Sequence, residues 1–315
     1  MRGYDLISLA AAGSGHAGGT LSIMDIAAAL YLHVARLDPA NPQWSDRDRI
    51  VWSAGHKAPS LYLGLGMAGF YDVKDVVKLR KLGSPYQGHP HWLKLPGVEV
   101  STGSLGQGLS IVVGMAIGLR LKQSDARVYC INGDGEQQEG QIWEAVMEAS
   151  HYKLDKLVSI IDKNRLQIDG WVKDVMNIDP LGEKYRSFGW DVIHINGHKM
   201  DEIVQAFDQA RKMKGKPVVI IAETVKGKGV DFMENVAGWH GKAPSVDEMR
   251  KGLAQLGLAD KLPVDQMLNA ATAYQKHMEV ELGNKMPRFG RDYWWNSDEL
   301  MRVEMQPTRK GSVPR

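Results

Sequence analysis

Five short runs of nearly continuous apolar residues punctuate the chain: "RIVWS" (49–53), "RVYCIN" (127–132), "KLVSIID" (156–162), "WDVIHI" (190–195) and "PVVIIAETV" (217–225). They are rich in β-branched residues, and they suit central strands of a parallel sheet covered on both faces. Between them, helical patterns run around 21–36, 105–122, 139–151 and 201–214. In the third, Val146, Ala149 and Ser150 fall at helical spacing behind an acidic start. The alternation predicts an α/β fold, with a doubly wound, mainly parallel sheet and helices on both faces. After about residue 245 the texture changes. "SVDEMRKGLAQLG" reads as a helix with an acidic start and a glycine stop, a further helical pattern runs to about 283, and an aromatic, irregular tail follows. The pattern therefore separates a sheet-bearing part, 1–245, from a helical extension and linker-like tail, 246–315. No internal repeat and no low-complexity segment is present.

Composition narrows the class. At 315 residues, 43% of them hydrophobic, the chain can bury a sizeable core. The net charge of +2 and the mixing of acids with bases give no nucleic-acid or membrane footprint. The basic run "VKGKG" (225–229) is expected to be a solvated loop. The single cysteine, Cys130, lies in an apolar run and is expected to be buried and inert, which suits a reducing cytoplasm. No apolar stretch is expected to reach the roughly 18 residues of a membrane helix, and no signal peptide is read at the N-terminus.

The chemistry-bearing unit is 127–164: strand, turn, helix, strand. The first strand ends at Gly133-Asp134-Gly135, the helix starts near Glu139, and "KLVSIID" returns as a parallel neighbour. Parallel neighbours end on the same sheet edge, so Asp134 and Asn164, thirty residues apart, should meet at the carboxyl edge, where open α/β folds bind ligands. The two glycines allow close backbone approach. The helix that follows should offer N–H groups and a positive dipole end to a phosphate. A carboxylate, an amide oxygen and a nearby carbonyl form an all-oxygen set of low charge. It suits Mg²⁺ or Ca²⁺ when a diphosphate supplies further oxygens.

"GDG", an "EG" shortly after, and an asparagine thirty residues on resemble the thiamine diphosphate (ThDP) motif. That resemblance implies a diphosphate-binding (PP) domain over 1–245. In it Asp134, Asn164 and the Leu166 carbonyl hold the divalent metal, and Gly133 brings its backbone to the diphosphate. Several families share this motif. "GSGHAGG" (13–19), "SAGHKAPSLY" (53–62), "YQGHPHW" (86–92), "STGSLGQG" (101–108) and "AGWHGKAP" (237–244) resemble transketolase segments, in order, over about residues 6–244.

The transketolase resemblance implies roles. His16, His89 and His240 would bond substrate hydroxyls and move protons. His56 would lie near the diphosphate, with His240 also on the cofactor side. Gly103 and Leu105 would pack on the cofactor, and Lys242 would face cofactor or substrate. Glu139 would belong to a buried acidic chain at a dimer interface. Physically, ketol transfer moves protons near neutral pH, which suits imidazoles, and these four histidines sit in Gly-rich loops or turns. His33, His151, His194, His198 and His277 are expected to be structural or solvated, and His91 has no apparent companions for a metal site. "GLGMAG" (64–69) follows a helical rather than a strand pattern, so it lacks the dinucleotide-binding context.

Two departures matter. Ser104 stands where transketolases usually carry proline. The resemblance does not extend into the family's second, pyrimidine-binding domain, with its activating glutamate; "VEMQPTRKG" (303–311) resembles the linker into it, as a natively split or a truncated chain would end. The expectation is the N-terminal subunit of a split transketolase. It would pair with a C-terminal, pyrimidine-domain subunit, as α2β2, to act on sugar phosphates, and would be inactive alone. The rival readings are the α subunit of a thiamine-dependent 2-oxo acid dehydrogenase and a non-catalytic ThDP-binding paralogue.

Overall fold

In a computed structural model that describes residues 1–285, all five apolar runs become strands of one sheet. In chain order the elements begin with α1 (Arg2–Ala12), α2 (Ala17–Ala29, continued by a π turn over Leu30–Val34), β1 (Arg49–Trp52) and α3 (Ala58–Met67). α4 (Gln107–Leu121), β2 (Val128–Gly133), α5 (Gly140–His151) and β3 (Leu157–Lys163) follow. A small antiparallel ribbon, β4 (Leu166–Gln167) with β5 (Gly170–Trp171), leads to α6 (Val172–Val175) and α7 (Leu181–Ser187). β6 (Asp191–Asn196), α8 (Met200–Lys212), β7 (Val218–Glu223), α9 (Val246–Gln255) and α10 (Val264–Lys285) complete the described chain.

The main sheet runs β1-β2-β3-β7-β6, and every pairing is parallel. Successive side chains along a strand point to opposite faces, and the core divides accordingly. Tyr129, Ile131, Val158 and Ile160 pack with α1, α2, α3 and α8 on one face. Val128, Cys130, Leu157 and Ile161 pack with α4, α5 and α7 on the other. Both faces of these central strands are therefore apolar, as the sequence pattern required. α8 shows the complementary logic: Ile203, Ala206, Phe207 and Ala210 form its buried stripe, with acids in the first turn and Arg211 and Lys212 in the last. α9 starts in a capping box, in which Ser245 and Glu248 satisfy each other's backbone N–H.

Some expectations are corrected here. The hydrophobic pattern does not mark α1, whose buried face nonetheless holds Leu6, Ile7 and Leu9. Residues 17–34 do form an 18-residue stretch apolar and long enough to cross a membrane by those measures alone. The fold uses it as a core element, 78% of it buried. Chain contacts divide after Gln275, giving units Met1–Gln275 and Lys276–Arg315. α9 belongs to the first, where Met249 and Leu253 join the core. The aromatic tail and its linker-like segment lie outside the described residues.

Candidate active site

Ser53, Asp134, Asn164 and Thr224 each follow directly on a strand, so parallel pairing brings them together at the carboxyl edge. Around them a cleft of about 370 Å³ opens, lined on its floor by Gly133, Asp134, Asn164 and Leu166. Asp134 is 3% exposed, and its partners are backbone donors: the N–H of Gly135 at 2.8 Å and that of Arg165. Burial, then the nearby Asp162 carboxylate, pushes its carboxyl up to about 6. Asn164 is equally buried. Its amide nitrogen donates to Asp162 at 3.1 Å, and its oxygen accepts from the Leu166 N–H at 3.1 Å.

Asp162 is the hub of this floor. It accepts from Lys57 Nζ (2.6 Å), Ser22 Oγ (2.5 Å), Asn164 and Thr224 Oγ1. Burial alone would raise its carboxyl, but Lys57 and these donors hold it below the usual range. Glu136 is the second buried acid. It accepts from Ser53 Oγ and from the N–H groups of Gly106 (2.9 Å) and Gly133 (2.9 Å), while burial raises its pKa. The Gly106 N–H reaches it from a left-handed backbone (φ +84°), and a Cβ there would lie 2.7 Å from that of Glu139. Glycine is therefore required at this position.

The residues of the floor fit a divalent cation. Asp134 is a buried carboxylate with no cationic side chain bonded to it; Asn164 adds an amide oxygen and Leu166 a carbonyl, which also accepts from Lys226. Among the described residues no cluster of three His, Cys, Asp or Glu could hold a metal. An Asp, an Asn and a carbonyl give only three oxygens, which is the set that a diphosphate would complete.

Four histidines form the wall. The rings of His16 and His56 lie 5.2 Å apart, His16 and His240 5.7 Å, and His16 and His89 6.4 Å; His56 stacks on His240 at 5.4 Å. They come from four separate loops, yet all line the same cleft. Burial, then Arg80, lowers His16 to about 4; burial, then Lys226, lowers His240 to about 3. Burial, then Lys57, keeps His56 well below its usual value. The imidazoles are neutral at physiological pH.

Gly103 and Leu105 also line the cleft. Exposed Ser104, between them, accepts a hydrogen bond from Gln107 Nε2 at 3.1 Å, a tie that a proline there could not make.

Two expectations change. Lys242 does not face the cleft: its amino group pairs with Glu248 at 3.1 Å and sits 4.0 Å over the Trp239 ring. Glu139 lines the cleft and is exposed in the single chain, as a residue that meets a second subunit would be, and the acid buried within this chain is Glu136, two residues into a 3-10 turn over Gly135–Gln138. That turn separates the motif from α5. Glu139, the N-cap of α5, is extended just ahead of it. "VKGKG" is not a solvated loop, because Lys226 is 2% exposed and donates to the Leu166 carbonyl (2.8 Å). Its pKa falls to about 8, through burial first and Lys57 second. Pattern reasoning missed Lys57, Asp162, Glu136 and Lys226. Their available signal was adjacency: Lys57 follows His56, and Asp162 precedes Asn164 by two. Of the other histidines, His198 is structural, bonded to Asp25 at 2.8 Å and to the Val225 N–H at 2.8 Å. "GLGMAG" falls within and just after α3.

A parallel sheet carrying Asp, Asn and a backbone carbonyl at its carboxyl edge, beneath a diphosphate-sized cleft, defines a thiamine diphosphate-binding fold. Comparison with known proteins specifies it further: residues 2–288 match the family described as "Transketolase, thiamine diphosphate binding domain", and the chain belongs to that family. It is 41% identical over 244 residues to a "6-deoxy-6-sulfo-D-fructose transketolase subunit SqwG" from Clostridium sp., covering 78% of this chain and 89% of that one. It is also 41% identical over 243 residues to an apulose-4-phosphate transketolase subunit from Phocaeicola vulgatus, covering 77% and 86%. The crystal structure of a transketolase from Campylobacter jejuni superposes with a TM-score of 0.77 at 32% identity, over 96% of this chain and 49% of that one. The chain thus spans about half the length of that solved transketolase.

Proposed function

We propose that this chain is the diphosphate-binding subunit of a two-subunit transketolase. With a pyrimidine-domain partner, as α2β2, it would move a two-carbon ketol unit from a ketose phosphate to an aldose phosphate. The observation that carries this reading is the placement of four neutral imidazoles around one cleft above the Asp134–Asn164–Leu166 floor. Likeness to relatives of comparable length that are themselves named as transketolase subunits supports a split enzyme.

In this reading Asp134, Asn164 and the Leu166 carbonyl hold Mg²⁺ or Ca²⁺ together with diphosphate oxygens, and Lys226 adds positive charge beside them. Bound ThDP supplies the nucleophilic carbon and the electron sink. The protein does the rest. The four histidines exchange hydrogen bonds with sugar hydroxyls and the carbonyl oxygen, and a neutral ring among them that presents its lone pair can accept a hydroxyl proton, becoming an imidazolium until it returns that proton. Leu105 and Gly103 close one side of the cleft and limit water. Asp162 accepts from the Asn164 amide nitrogen and so fixes its oxygen, which takes one bond from the Leu166 N–H and would offer its other lone pair to the metal. The assembly is read as cytoplasmic.

The test is reconstitution. The purified chain with Mg²⁺ and ThDP should bind cofactor in calorimetry yet give no ketol transfer. Adding the pyrimidine-domain subunit should restore aldose release from a ketose phosphate. Turnover by the single chain, or oxo-acid decarboxylation by the pair, would overturn the reading.

A further inference from the structure

The four cleft histidines are not equivalent. Two have a cationic side chain on their Nδ1 atoms. Arg80 Nη2 lies 3.4 Å from His16 Nδ1, and Lys226 Nζ lies 3.0 Å from His240 Nδ1. A guanidinium or an ammonium has only N–H groups to offer and no acceptor. The nitrogen that faces it must therefore present a lone pair. Since a neutral imidazole carries one proton, that proton must sit on the other nitrogen.

From this geometry we infer that Arg80 and Lys226 are positioning residues, which hold His16 and His240 as the tautomer protonated on Nε2 and so aim two N–H donors into the cleft. His56 and His89 have no side-chain or backbone hydrogen bond to either ring nitrogen among the described residues, so neither is pinned. The division assigns roles. His16 and His240 donate hydrogen bonds to substrate oxygens, and the accepting of a hydroxyl proton falls to His56 or His89. This use of the donors rests on the ketol-transfer reading; the tautomers themselves do not.

Arg80 is placed for the task. Its guanidinium lies against the Gly88 backbone, where an added Cβ would come within 2.8 Å of Nε, and its Nη1 reaches Ser14 Oγ at 3.4 Å. It is thus wedged between the loops that carry His16 and His89. Among the described residues no carboxylate forms an ion pair with it, so no anion competes with the imidazole for its Nη2. The lowered pKa of His16, in which Arg80 is the second cause after burial, agrees with a cation on that side.

The test reads the nitrogens directly. Long-range ¹⁵N–¹H correlation spectra of the full chain without cofactor, at neutral pH, would be assigned through His16→Gln and His240→Gln. Both residues should show the proton on Nε2 and a hydrogen-bonded, unprotonated Nδ1. In Arg80→Met the Nδ1 signal of His16 should move towards that of a free acceptor while His240 stays unchanged, and Arg80→Lys should restore it. A proton on Nδ1 of either residue in the unaltered chain overturns the inference, whatever Arg80→Met does. So does an Arg80→Met spectrum identical to the parent's. Failure of ketol transfer in the reconstituted pair, with these spectra as expected, would instead overturn the functional reading and leave the tautomers standing.

Discussion

The floor and the wall of the cleft solve opposite problems. The floor gathers three buried acids, Asp134, Asp162 and Glu136, within a few residues of two strand ends. Nearly every oxygen there is engaged: Asp162 by four side chains, Glu136 by a hydroxyl and two backbone donors. The wall gathers neutral imidazoles with nitrogens left open to the cleft. Such a difference separates stability from chemistry. Satisfied buried groups hold a shape, whereas unsatisfied ones are available to a substrate. Substitutions in the floor should therefore appear first in unfolding, and substitutions in the wall first in function.

The sharpest way to break that contrast is Lys57→Met. Lys57 and Asp162 form an ion pair at 2.6 Å with side chains 2% and 0% exposed. Removing the cation leaves a buried carboxylate uncompensated, and such losses run to about 3–5 kcal/mol. Urea denaturation of the chain without cofactor should show this. Lys57→Met/Asp162→Asn should recover a large part of the loss, because both charges are then gone. If Lys57→Met leaves the urea midpoint unmoved, the floor is not what holds this edge together.

Glu136→Gln comes next. One of its oxygens accepts from Ser53 and Gly106 and the other from Gly133, and glutamine replaces one acceptor with an NH₂ facing backbone N–H. An unsatisfied buried donor costs about 1–3 kcal/mol. The same urea experiment measures it, and a loss approaching that of Lys57→Met would show that the two acids carry equal shares.

The two regions also differ in how far the sequence exposed them. Asp134 and Asn164 could be placed by pattern alone, since both follow apolar runs of one strand–helix–strand unit and parallel pairing leaves little choice of edge. Asp162 was missed because a fully buried strand, apolar on both faces, hides a polar residue near its end, and Lys57 because a lysine in the short 3-10 turn Gly55–Lys57 carries no apolar period that would mark it as buried. Periodicity says which face a side chain takes and nothing about its partner. The wall was out of reach of periodicity altogether. His16, His56, His89 and His240 lie in loops as distant as 224 positions, and only resemblance to transketolase segments joined them. Resemblance carried Lys242 too far, because proximity in sequence to His240 does not turn a side chain toward the same cleft. Arg80, with no motif of its own, became visible only through its distance to His16.

The wall has a pH signature set by desolvation rather than by ion pairing. His16 titrates at about 4 and His240 at about 3 in the folded chain, below the ordinary histidine value. As pH falls below about 6.5 the unfolded chain takes up protons that the folded chain refuses, so stability drops toward pH 4. Both rings are partly exposed, and solvent screening reduces the effect to about 1–2 kcal/mol in total. Denaturation midpoints measured from pH 7.5 down to 4.5 should fall less steeply in His16→Gln/His240→Gln than in the parent. Parallel pH profiles would mean that the imidazoles are freely hydrated and the wall is no low-dielectric surface.

Lys242→Ala is the smallest effect and the finest test of where the wall ends. Its pair with Glu248 is exposed, 54% and 32% by side chain, and such pairs contribute about 0–1 kcal/mol. Its seat over Trp239 adds a contact of similar size. The substitution should shift the urea midpoint slightly and leave ThDP affinity in calorimetry unchanged. His240→Gln, two residues away, should change that affinity with little effect on stability. A drop in cofactor affinity for Lys242→Ala would mean that the loop 237–244 turns inward when cofactor binds. Lys242 would then belong to the wall, and the resemblance would have placed it better than the geometry of the chain without cofactor does.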